Sequence, residues 1–163
     1  MANKNNKPFL LLSWVAVAFW LTIIFVFSSQ PATQSDRLSI RVTEVIIQKV
    51  CQVIQLNIES SAIADLAKEL NHMVRKFAHA SAYFILGILM VNALRRSGLS
   101  GIRMVIIALS ICTLYAVSDE IHQLFVPGRS AQIGDVFIDS AGAILGLGLY
   151  GAVGKISRVT TNR

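Results

Sequence analysis

Four apolar stretches separated by polar turns organise this chain. Phe9 to Phe27 is 19 residues without a charge, enough to cross a hydrocarbon core of ~30 Å at ~1.5 Å per residue. A second stretch runs from Phe77 to Leu94, where His79 is the one residue that ionises near neutral pH. The third, Met104 to Ser118, holds 15 uncharged residues. That is only ~22 Å of helix, so the helix is expected to continue through Asp119, Glu120, His122 and Gln123. Those polar groups are thereby drawn to the membrane or its interface. The fourth stretch, Val136 to Gly154, contains one charge, Asp139. Its glycines at 142, 146, 148 and 151 include small-xxx-small spacings suited to close helix packing. The pattern predicts transmembrane helices over about 9–27, 77–94, 103–123 and 134–154.

The segment 28–76 is not rich in Gly, Ser or Pro, which argues against a loose linker. Leu38, Val42, Val45, Ile46, Val50, Val53 and Ile54 recur at helical spacing, as do Ile63, Leu66, Leu70, Met73 and Phe77. This predicts two amphipathic helices broken near Asn57–Ser60, lying on the membrane surface or capping the bundle.

Composition agrees with the pattern. The 163 residues are 54% hydrophobic and 15% charged, against ~25% charge in an average soluble domain. Mean hydropathy is +0.60. The expected fold class is an all-α integral membrane protein, one domain over 1–163, with four transmembrane helices and two amphipathic helices in the first extracytoplasmic loop. The first span is read as a retained helix rather than a signal peptide, because no small-x-small cleavage signal follows it. The net charge of +6 then bears on orientation rather than on nucleic acid, for which no partnership is expected. Lys4 and Lys7, then Arg95, Arg96 and Arg103, then Lys155, Arg158 and Arg163 crowd short segments on one side. The other basic residues are spread over the long loop and around Arg129. The density predicts both termini in the cytoplasm of a cell with an inner membrane. Cys51 and Cys112 are too few for a disulfide framework and are expected to be unpaired.

In that topology all nine acidic residues fall on the outer side. Asp119, Glu120, Asp135 and Asp139 stand at the outer ends of the third and fourth spans. Arg75, Lys76 and His79 open the second span at the same level, and Pro127-Gly128-Arg129 joins the last two. Lys76, His79 and Tyr83 share a helix face at i, i+3, i+7, and Asp119 lies four residues before Gln123. Charges at membrane depth cost a few kcal/mol and so pair or face a wet cavity. So many ionisable groups at one level exceed what a structural staple needs, and read as a site. His79, Asp119, Glu120 and Asp135 are the candidate catalytic residues, with His79 as a proton-handling base beside an acid. Lys76, Tyr83, His122, Gln123, Arg129 and Asp139 are the candidate ligand-binding residues, with Arg129 as an anion clamp. A metal centre built on His79, Glu120, His122 and the aspartates is disfavoured, because Glu-x-His turns its two groups to different helix faces. No metal and no cofactor are expected.

The run Arg75-Lys76-Phe77-Ala78-His79 with Tyr83 and Gly87 resembles half of the VanZ-like family signature. Tyr115 to Arg129, including Ser118-Asp119-Glu120-Ile121-His122-Gln123, then Asp135-Val136, Asp139 and Gly142, resembles the other half. Phe27-Ser28-Ser29-Gln30-Pro31 also looks like that family. The family often carries Asn where this chain has Asp139. The resemblance implies a small polytopic bacterial membrane protein whose namesake is linked to resistance to teicoplanin. It names a phenotype rather than a reaction. The partners it suggests are membrane lipids, a lipid-linked cell-wall precursor or the lipoglycopeptide itself. Whether the chain is an enzyme stays open: the alternative is a non-catalytic scaffold or partner-binding protein whose cluster is a staple. The two readings differ in whether substitutions such as Glu120→Gln cost activity or abundance.

Overall fold

The computed structural model describes residues 7–161, with the backbone alone for 154–161. Lys4 and Arg163, two of the basic residues that bear on orientation, lie outside the described residues. Five helices follow one another: α1 (Lys7–Ser28), α2 (Ala32–Val53), α3 (Ser60–Arg96), α4 (Gly101–Gln123) and α5 (Ile133–Thr161). There is no strand among the described residues. α1, α3, α4 and the Ile133–Val153 part of α5 are each long and apolar enough to cross a membrane.

The loop between the first two spans departs from the expected pair of helices. One separate helix, α2, ends at Val53, and the chain breaks over 54–59. The expected second helix is not separate: it continues through Arg75 and Lys76 into the second span as the 37-residue α3. Ser60 to Leu86 contains neither proline nor glycine, so nothing in the sequence stops the helix at the membrane boundary. Much of the apolar side of α2 is exposed, including Val45, Ile46, Val50 and Val53. Its polar edge faces α3. Asp36 accepts hydrogen bonds from Asn71 at 3.2 Å and Arg75 at 2.6 Å, and Ser39 bonds Asn71.

α3 touches all four other helices, and its closest partner is α5. A Cβ on Gly142 would collide with the Ala80 carbonyl, one on Gly146 with that of Phe84, and one on Gly87 with that of Ala143. Missing side chains therefore let the two backbones touch, and this close approach supplies packing where lipid offers no hydrophobic drive. Gly148 and Gly151 face open space. The core gathers Tyr83, Leu86, Met90 and Val91 of α3 with Val17 and Ile24 of α1, Ala108, Cys112 and Ala116 of α4, and Ala143 and Leu147 of α5. Cys112 and Cys51 are both free. Phe9, Leu12, Phe19, Leu114, Phe137 and Leu145 point outward, an inversion that suits a lipid surround and not water.

Two turns set the register of the bundle. After α3, Gly98 adopts φ +93 while the Leu99 and Gly98 amides reach the Leu94 and Arg95 carbonyls, a Schellman cap. After α4, Val126-Pro127-Gly128-Arg129 closes through the Arg129 amide on the Val126 carbonyl at 3.1 Å, with Gly128 at φ +77. Proline second and a positive-φ glycine third is the signature of a type II turn. The Pro127 carbonyl also accepts from the Ala32 amide at 3.2 Å, which ties this turn to the start of α2.

Candidate functional site

The up-down course of the chain brings the C-terminal ends of α1 and α4, the middle of α3 and the N-terminal end of α5 to one end of the bundle. A small cavity of about 60 Å³ lies there. Lys76, His79, Gln123, Arg129, Asp135 and Asp139 line it, joined by Arg75.

Each cation at the cavity has a different situation. Arg75 is held by Asp36 at 2.6 Å, and Lys76 Nζ stands 3.0 Å from Asp135 Oδ1, an ion pair without hydrogen-bond alignment. Arg129 touches only neutral acceptors: the Gln30 carbonyl at 3.1 Å, the Phe27 carbonyl at 3.4 Å and Gln123 Oε1 at 3.4 Å. Among the described residues no carboxylate lies within ion-pair distance of it. Burial, and after it the nearby Arg75 charge, lowers its pKa from the ordinary value, but a guanidinium stays protonated in proteins.

The acids are deeper. Asp119 is 4% exposed and Asp139 is fully buried. Asp119 Oδ2 accepts from Ser28 Oγ at 2.7 Å and from Gln123 Nε2 at 3.3 Å. Neither oxygen of Asp139 has a hydrogen-bond partner, and the basic atom within 4.0 Å of it is the ring nitrogen His79 Nδ1 at 3.9 Å. Glu120 turns to the outside of this cluster, where its Oε2 accepts from the Gln132 amide at 2.7 Å. It thereby fastens the segment leading into α5.

The remaining candidates lie beside the cavity rather than on its wall. The Tyr83 ring stands 6.3 Å from that of Tyr115, and its hydroxyl is buried without a partner. His122 lies against Phe25 with ring centres 4.7 Å apart and pairs with Ser29 Oγ at 3.0 Å. Of the metal set weighed from the sequence, Glu120 and His122 stand apart. The ligand-type atoms within reach of one another are those of His79, Asp119 and Asp139.

Sequence reasoning missed the partnership of Arg75 with Asp36, which no spacing announces across 39 positions. It also gave no role to Ser28, Ser29 and Gln30, although their segment carried part of the family resemblance. The structure supplies the roles. Ser28 fixes Asp119, Ser29 meets His122, the Gln30 carbonyl receives Arg129, and Pro31 opens α2.

A family model described as VanZ/LLP1 matches residues 13–154, most of the chain. The chain belongs to the VanZ/LLP1 family, and with four span-capable helices it is a VanZ-like multi-pass membrane protein. No curated protein and no solved structure matches it.

Proposed function

We propose that the protein binds an anionic lipid, or a lipid-linked precursor of the cell envelope, at the polar end of the bundle. The observation that carries this reading is a shared wall. Arg75, His79 and Arg129 line the polar cavity and also an apolar groove of about 380 Å³ between α1, α2 and α3, with Trp20, Ile24, Leu38, Val42 and Ile85 on its sides. A hydrocarbon chain in the groove puts its headgroup at those three side chains. Arg129 holds the phosphate or carboxylate, since its planar fork matches a bidentate anion and no carboxylate competes for it. Lys76 adds charge at the rim. His79, with Asp119 behind it, handles a proton if the bound lipid is modified.

The reading extends to resistance to a glycopeptide of the teicoplanin type, which the family's namesake suggests, and to an orientation argued from the density of Lys and Arg, with both termini in the cytoplasm of a bacterial inner membrane and the site on its outer face. A lipid-tailed antibiotic and a lipid-linked precursor present the same chemistry to the groove.

One observation favours the scaffold alternative. Arg75–Asp36 and Lys76–Asp135 are paired within the protein, as a staple requires. The two readings separate in one experiment. Teicoplanin and vancomycin susceptibility is measured in a sensitive Gram-positive host carrying the wild type, Arg129→Ala, Glu120→Gln or Asp135→Asn, with membrane abundance quantified in the same cells. Protection by the wild type that is lost in Arg129→Ala at unchanged abundance supports the binding site. Loss of abundance in step with protection supports the staple, and full protection by Arg129→Ala ends the lipid reading.

A further inference from the structure

The lipid reading uses the rim of the cavity and leaves the buried Asp139, below it, without a role. There two carboxylates, Asp119 and Asp139, converge on His79, and one donor atom from each lies within 4.8 Å of the others. They come from α3, α4 and α5, so the convergence is tertiary and not a run of acids along one helix.

We propose that His79, Asp119 and Asp139 bind a divalent transition-metal ion such as Zn²⁺. Three features of the structure argue for it. First, Asp139 is fully buried, and neither carboxylate oxygen meets a donor. A buried carboxyl without a partner costs free energy that native structures rarely leave uncompensated. Second, the charges on the floor do not balance. Lys76 is engaged by Asp135, and Arg129 by neutral acceptors. Among the described residues no Lys or Arg lies within ion-pair distance of Asp119 or Asp139. A divalent ion neutralises the two carboxylates together. Third, the donor set is suited to the ion. One imidazole and two carboxylates match the N/O ligation of three-ligand zinc sites, which keep a further position for water. The adjoining cavity of about 60 Å³ has space for that water. A tetrahedral ion with bonds of ~2.1 Å holds its donors ~3.4 Å apart, so rotamer adjustments of about 1 Å would close the set.

The surroundings are organised as an outer shell organises ligands. Ser28 Oγ and Gln123 Nε2 both donate to Asp119 Oδ2 and fix its orientation. Ser28 is therefore a positioning residue. Arg129 is no ligand, so substituting it tests the lipid proposal without removing a metal ligand.

The test uses the full chain purified in detergent on a histidine-free affinity tag. It is stripped with chelator, incubated with Zn²⁺ and desalted, and bound metal is counted by mass spectrometry. The wild type and the exposed control Asp65→Asn are expected to retain one ion per chain. Asp139→Asn and His79→Ala are expected to lose it, and Ser28→Ala to weaken binding roughly 10-fold or more. Arg129→Ala is expected to keep the ion. A wild type without bound Zn²⁺, or ligand variants that bind as well as the wild type, overturns the proposal. Should a ligand variant fail to fold, X-ray absorption on the Zn²⁺-loaded wild type decides. A shell of one imidazole and carboxylate or water oxygens at about 2.0–2.2 Å supports the site. A shell containing sulfur or a second imidazole overturns it.

Discussion

The hydroxyl of Tyr83 shows how much a single atom can report. It is buried at the centre of the bundle with no donor or acceptor in reach, a deficit of ~1–3 kcal/mol when left unmet. Tyr83→Phe removes the deficit and keeps the ring, so thermal unfolding in detergent should show an unchanged or higher midpoint. If a ligand uses that hydroxyl, resistance falls while the midpoint holds or rises, which no packing defect produces. Arg129 offers a second contrast. Arg129→Lys keeps the charge but not the fork, so it should lose most anion binding in a lipid co-purification assay and retain more than Arg129→Ala. Single candidate residues could be picked out because ionisable groups are conspicuous in an apolar chain: His79 and Asp139 interrupt hydrophobic runs, Asp119 ends one, and Arg129 follows in the turn. Their partners could not. Nothing at Ser28 announces Asp119, 91 positions away, and nothing in Glu-x-His tells which of the two would face the cavity. In the structure neither lines it.

At the scale of helices, the seam between α3 and α5 sets the geometry. Gly142 and Gly146 stand against α3 carbonyls, whereas Gly148 faces open space. Gly146→Ala should therefore destabilise by ~1–3 kcal/mol as the helices are forced apart. Gly148→Ala should be neutral or slightly stabilising, since alanine favours helix by up to ~1 kcal/mol over glycine. Paired melting curves in detergent check both. The fastening of α2 is weaker. Arg75 and Asp36 are each about one-third exposed, so a double-mutant cycle with Arg75→Ala and Asp36→Ala should return a coupling of about 1 kcal/mol or less. The four span-capable helices could be read from long apolar runs with at most one charge, and the last turn from Pro127-Gly128. The extent of α3 could not. A periodic segment and an apolar segment look like two elements on paper, and only the lack of a breaker between them joins the two. The glycine spacings in α5 likewise announced contact without saying which glycines make it.

For the molecule as a whole, the four span-capable helices of the described residues, all inserted, would put residues 7 and 161 on one side of the membrane. Fusions of a fluorescent protein that matures only in the cytoplasm should glow at the N- and the C-terminus alike. A fusion inserted over 55–58, between α2 and α3, should stay dark. A dark terminus with a bright loop would invert the orientation and place the cavity on the inner face. Composition was enough to settle that this chain belongs in a bilayer. It said nothing of the groove, whose walls come from three helices and whose apolar residues resemble every other lipid-facing residue in the sequence.

The length of α3 carries one more consequence. Its 37 residues measure ~55 Å, while the hydrocarbon layer takes up ~30 Å. About half of this helix therefore exceeds what one crossing needs. Asn71, where α2 is moored, belongs to the same rigid body as Arg75, Lys76 and His79. A pull on α2 through Asp36 and Ser39 is therefore expected to be felt at those three side chains, which line the same cavity as Asp135, Asp139 and Arg129. The contacts of α3 with Gly142 and Gly146 of α5 begin at Ala80, directly after His79, so the tight seam and the cavity share one stretch of α3.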